Sequence, residues 1–132
     1  MLQNTEDANA VGAGTEALQA VLGDLASASR DIEATLVVSR DGLTMAVLGT
    51  SGDVDRLGAV CASLLAQGTA TAHELQRGDL AEVLFKAEQG YVLLVQAGPV
   101  AMLALLAGPG ANVGMLFLEA RRAALAVTAA LQ

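Results

Sequence analysis

The residues able to do chemistry in this chain are few and scattered. His73 is the only histidine and Cys61 the only cysteine. One imidazole cannot build a histidine-rich metal centre or a paired-histidine acid/base relay. Cys61 falls on the apolar stripe of a helix, where a buried thiol stays protonated and inert. The run Gly108-Pro109-Gly110-Ala111-Asn112-Val113-Gly114 precedes a helix, as phosphate-binding loops do. It lacks the Gly-Lys-Ser/Thr ending, and Val113 stands where Gly-x-Gly-x-x-Gly requires its last glycine. A strand-to-helix turn is the better reading. The carboxylates are dispersed and form no dyad. No catalytic, metal or cofactor-binding residue is therefore assigned, and the chain is expected not to be an enzyme and to carry no cofactor.

Composition narrows the partners. The 132 residues are 54% hydrophobic and 16% charged, with a net charge of −7. A chain this apolar can bury a core within one domain. Phe85, Phe117 and Tyr91 are its only aromatics, and Arg121-Arg122 is its only basic pair. Nucleic acid, which requires a basic stripe and stacking platforms, is not an expected partner. The longest apolar run, Val100 to Ala107, is eight residues, against the roughly 20 needed to span a bilayer. No membrane span is expected. A lone cysteine, and an N-terminus with neither a basic region nor an apolar segment, favour a cytoplasmic location.

The elements that must position these residues follow from periodicity. Residues 1–14 are polar, small and glycine-bearing, and read as a disordered tail ahead of a single domain over 15–132. Thr15 can cap a helix over about 16–29, with Leu18, Val21, Leu22 and Leu25 on one face. Asp41-Gly42 between two β-rich runs predicts a hairpin of strands 33–39 and 43–48. Asp53 caps a long helix reaching about Arg77. Strands follow near 80–87 and 90–96, and Val100–Ala107 is a strand covered on both faces. Asn112 caps a last helix with Val113, Phe117, Ala120, Ala124, Val127 and Leu131 in one stripe. The order α-ββ-α-βββ-α defines an α+β layered domain with a meandering antiparallel sheet.

Two features point to an interaction surface. On the middle helix, Val54, Leu57, Cys61, Leu64, Leu65, Gly68, Ala72 and Leu75 share the face expected to lie on the sheet. A second stripe, Ala59, Ala62, Ala66, Thr69 and Ala70 with His73 at its end, is small enough to admit another helix. On the third strand, Leu80, Glu82, Leu84 and Lys86 point one way. Glu82 and Lys86 are symmetric about Leu84, so two antiparallel copies would set each Glu82 against the other's Lys86. These ten residues, from Ala59 to His73 and from Leu80 to Lys86, are the expected dimer interface.

The order and spacing of several segments resemble the Roadblock family (the Roadblock/dynein light-chain domain), especially its prokaryotic members. They are the hairpin Val38-Ser39-Arg40-Asp41-Gly42-Leu43, the helix segment Arg56 to Leu65, Gly90-Tyr91-Val92-Leu93-Leu94, Ala111-Asn112-Val113-Gly114 and Glu119-Ala120-Arg121-Arg122. The resemblance covers about residues 15–132. It implies a five-stranded antiparallel sheet with the first and last helices on one face and the middle helix on the other. It also implies a homodimer made by joining third strands, with the middle helices side by side. Such proteins are non-catalytic scaffolds, many of which bind Ras-like small GTPases, some as GTPase-activating partners that donate no arginine finger. The small-GTPase site would then fall on the polar arc Arg56, Ser63, Gln67 and Glu74. The alternative is a sensory or small-ligand-binding module of the same α+β layout.

Overall fold

The computed structural model describes residues 2–49 and 52–132, with side chains from residue 14 onward. Its elements are α1 (Leu2–Ser27), β1 (Ile32–Ser39), β2 (Thr44–Leu48), α2 (Val54–Glu74), β3 (Glu82–Ala87), β4 (Gly90–Ala97), β5 (Ala101–Ala107) and α3 (Val113–Ala130). The expected element order stands. The first helix begins far upstream of residue 16, so Thr15 lies inside it rather than capping it. The tail expected over residues 1–14 falls almost wholly on positions whose side chains lie outside the described residues.

Both helix caps form as their residue types require. The Asp53 carboxylate accepts from the Arg56 N–H at 3.2 Å, and the Asn112 side-chain oxygen accepts from the Met115 N–H at 3.0 Å. Gly42, at φ 90°, turns the β1–β2 hairpin. The five strands lie in the order β2-β1-β5-β4-β3, antiparallel throughout. The sheet is thus two meanders joined by the β1–β5 pairing, not one continuous meander. Long strands with apolar residues on both faces end up central, which is why β5 is buried along almost its full length.

The two faces carry separate cores. Leu18, Leu22 and Leu25 of α1 and Leu116, Ala120 and Val127 of α3 pack on Val37, Leu93, Leu103 and Leu105. On the other face Cys61 and Leu65 of α2 meet Leu36, Val38, Leu94, Met102 and Ala104. The N-terminal half of α2 sits tightly on the hairpin. A Cβ on Gly58 would lie 2.8 Å from the Gly42 carbonyl oxygen and nearer still to Thr44 Oγ1, while Thr44 Oγ1 donates to the Val54 carbonyl at 2.7 Å. The β2 edge is also reached by α1, whose Gln19 Nε2 donates to the Val47 carbonyl at 3.3 Å.

Candidate interaction surface

β3 is the outer strand at the other edge of the sheet. Its register with β4 pairs Glu82 with Val95, and the Gln96 N–H donates to the Ala81 carbonyl at 3.0 Å. Antiparallel residues bond alternately to one side and then the other. Odd residues of β3 therefore bond to β4, and the N–H and C=O groups of Glu82, Leu84 and Lys86 point away from the sheet. This edge has the unpaired donors and acceptors that a second strand needs.

The side chains of these three residues lie on the α1/α3 face, where Leu84 packs against the larger core. Val83 lies on the α2 face, against the smaller core. Leu80 precedes the strand and joins that smaller core too, so it does not share a face with Leu84 as the alternation predicts. Glu82 is not a solvated charge. Arg121 of α3 holds it with both ends of the guanidinium, Nε donating at 3.1 Å to one carboxylate oxygen and Nη2 to the other. The same guanidinium stands 5.0 Å from the Phe117 ring centroid. Hydrogen bonding to Glu82 pushes the Arg121 guanidinium above its ordinary value.

α2 has two unlike flanks. The small stripe borders a cleft of about 290 Å³, in which Ala62, Ala66 and Thr69 face Arg40, Gln96 and Met102. Arg40 donates to the Gln96 side-chain oxygen at 3.4 Å there. At its start the stripe serves the fold itself: a Cβ on Gly42 would lie 3.3 Å from Ala59 Cα and 3.6 Å from Ala62 Cβ. At its end His73 Nε2 lies 3.1 Å from Asp79 Oδ1. Ala70, also of the stripe, is exposed.

The opposite flank overlooks the open edge. Leu64, Gln67, Gly68 and Thr71 line a groove of about 490 Å³ with Val83 and Phe85 of β3. The recurrence Val60, Leu64, Gln67, Thr71, Leu75 keeps one side of the helix in line with this groove. Val60 is 47% exposed, Leu75 63% and Phe85 37%, so large apolar side chains cluster beside the unpaired strand. Leu75, expected on the sheet, is the C-cap residue and projects past it. The structure thus separates the expected dimer residues. Glu82, Leu84 and Lys86 are on one sheet face, and the small stripe is on the other, turned from the β3 edge. Sequence reasoning did not bring Val60 or Phe85 to this groove, although Val60, Leu64, Gln67 and Thr71 recur at four-three spacing. The polar arc Arg56, Ser63, Gln67 and Glu74 is exposed, with Gln67 Nε2 3.5 Å from Ser63 Oγ.

The Cys61 thiol is buried and pushed up by desolvation, which keeps it protonated. Among the described residues no three His, Cys, Asp or Glu side chains gather to hold a metal ion, and no helix is long and apolar enough to cross a membrane. The fold and the site define a layered α+β interaction module: a core on each sheet face, one edge reached by Gln19 of α1, and one open edge flanked by apolar side chains.

Comparison with known proteins gives the module its family. The Roadblock/LC7 domain model matches residues 7–107, and the chain belongs to that family. The match begins inside the expected tail and ends with β5. Two Methanocaldococcus jannaschii proteins, MJ0310 and MJ1340, are each 32% identical over 94 residues, covering 70% of this chain and 82% of the relative. Among solved structures, the gliding protein MglB of Thermus thermophilus superposes with a TM-score of 0.81 at 23% identity, covering 89% of this chain and 90% of that one. An MglB structure described as having a tetrameric arrangement gives 0.82 at 24% identity with the same coverage. These likenesses bear out the sheet of five antiparallel strands with α1 and α3 on one face and α2 on the other.

Proposed function

We propose that this chain is a cytoplasmic, non-catalytic regulator that forms a homodimer and binds a Ras-like small GTPase. The observation that carries the reading is the β3 edge. Its outward main-chain groups at Glu82, Leu84 and Lys86 adjoin the groove between α2 and Val83 and Phe85. Two-fold pairing of β3 satisfies the first set and brings two α2 helices together over the second. Val60, Leu64 and Phe85 then join Glu82, Leu84 and Lys86 as seam residues, and the small stripe flanks the helix pair. Family membership supports both halves of the reading, and the tetrameric MglB arrangement supports self-association in this fold.

The GTPase docks on the outer arc of α2, at Arg56, Ser63 and Glu74, with Gln67 at the border between this arc and the seam groove. α1 and α3 cover the opposite sheet face, so this arc is the ordered polar surface beside the two-fold axis. A GTPase on that axis meets both subunits, and two regulator chains bind each GTPase. The domain exerts its effect by contact, as a GTPase-activating partner that donates no arginine finger.

Light scattering at micromolar concentration tests the dimer, with an expected mass of about 27 kDa, twice the 13.3 kDa of the chain. Introducing Val60→Glu together with Phe85→Glu is expected to give a folded monomer. Co-purification with candidate small GTPases in each nucleotide state, followed by a hydrolysis assay, tests the second half. Arg56→Glu alters an exposed side chain, so it is expected to weaken GTPase binding and shift protomer stability by no more than about 0.5 kcal/mol. A 13 kDa species throughout the concentration range rejects the dimer, and unchanged affinity in Arg56→Glu moves the docking site elsewhere.

A further inference from the structure

We propose that Glu82 is a shared carboxylate, gripped by Arg121 of its own α3 and by Lys86 of the partner subunit, so that each α3 is tied electrostatically to the opposite protomer. The inference rests on the homodimer reading above. It adds a residue that lies far from the strand edge in sequence and outside the segment matched by the family, which ends at residue 107.

The register of the seam follows from the main chain. Only even residues of β3 present free N–H and C=O groups, so a two-fold antiparallel partner must set even residues against even residues. Centring on position 83 would put the partner's Lys86 opposite Leu80, which lies before the strand, and leave Glu82 against the partner's Leu84. Centring on position 85 would bring Glu82 against the partner's Glu88. Centring on Leu84 sets Glu82 against the partner's Lys86 and leaves no like charges opposed. Charge therefore selects the third register.

The face follows from packing. Leu84 packs into the α1/α3 core, so Glu82 and Lys86, two residues to either side, project toward the same face. A two-fold axis perpendicular to the joined sheet keeps that face common to both protomers. The partner's Lys86 then rises beside the carboxylate that Arg121 already holds. Arg121 fixes this carboxylate from one side with a bidentate grip, which confines it in place. The Glu82 side chain is only 20% exposed, against 59% for Arg121, so the anion sits at the inner side of the pair. Each seam end then holds two cations and one anion, and removing the anion leaves the cations facing each other across the interface.

That imbalance gives a test with a definite sign. The dimer dissociation constant is measured by sedimentation over a dilution series for the full chain and its variants. Glu82→Gln keeps the size of the side chain and removes its charge. It is expected to weaken the dimer by about 2- to 30-fold, the loss of two cross-strand charge pairs. Adding Arg121→Met to Glu82→Gln removes one of the two opposed cations and is expected to recover part of that loss. Adding Lys86→Met to Glu82→Gln, on an exposed strand position far from the cores, is expected to do the same. A purely structural role for Arg121 predicts the opposite, with the double variant no tighter than the single one. If the wild-type chain dimerises but Glu82→Gln leaves its affinity unchanged, or neither second substitution rescues it, the shared carboxylate is overturned and the dimer stands. A wild-type chain that stays monomeric overturns the homodimer reading itself.

Discussion

The two faces of the sheet are built to different degrees of completion. On the α1/α3 face, two helices roof the strands, and Leu22, Leu103, Leu105 and Leu116 are sealed from solvent. On the α2 face, one helix covers a sheet of five strands. Cys61 and Leu65 reach the sheet, and clefts remain along both flanks of the helix. The two-helix face still leaves Leu118 and Leu125 exposed on the outer side of α3. The face roofed by one keeps Val60, Leu75 and Phe85 at the surface. What sets the α2 group apart is its position beside the outward main chain of β3.

Truncations on each face should break the comparison most sharply. Leu22→Ala opens a void in a closed core and is expected to cost about 3–5 kcal/mol in urea unfolding. Leu65→Ala, beside an open cleft, can be relieved by neighbouring side chains and water, and is expected to cost about 2–3 kcal/mol. Equal losses would mean that the α2 face is as tightly closed as the other.

Gly58→Ala comes next. Alanine favours a helix by about 1 kcal/mol over glycine, yet here its methyl group would press on the Gly42 carbonyl and Thr44 Oγ1. A net destabilisation of about 1–3 kcal/mol is expected as α2 lifts off the hairpin. Gly23→Ala in α1, where a Cβ meets nothing within 4 Å, is the control, and should stabilise the chain by about 0.5–1 kcal/mol. A second gain is expected at Thr35. The Thr35 hydroxyl is buried on the α1/α3 side without a hydrogen-bond partner. Thr35→Val removes that cost and is expected to raise stability by about 1 kcal/mol. A thermal melt that fails to rise would show the hydroxyl to be satisfied after all.

Local chemistry was readable from the sequence wherever a few neighbouring residues decide the outcome. Asp53 and Asn112 cap their helices because a short polar side chain ahead of an apolar repeat has few other uses, and Asp41-Gly42 turns because the hairpin needs a positive φ there. The placement of α2 on its own sheet face was legible through the family resemblance rather than through periodicity. What periodicity could not supply was direction. Helical spacing sorts Ala62, Cys61 and Leu64 by angle around one axis, but which flank overlooks β3 depends on how that axis crosses the sheet. Two small residues, Ala59 and Ala62, looked available to a partner helix, and part of their purpose is to let α2 approach Gly42. The Arg121–Glu82 grip links residues 39 positions apart, and no local pattern announces it.

The unequal treatment of the two sheet edges sets the size of what this chain can build. Along β2 the Val47 carbonyl accepts from Gln19 of α1, while Glu82, Leu84 and Lys86 turn their main-chain groups outward along β3. A unit with two sticky ends polymerises; a unit with one can only be capped. Strand addition at β3 consumes that open edge in a single event, so growth through it stops at two copies.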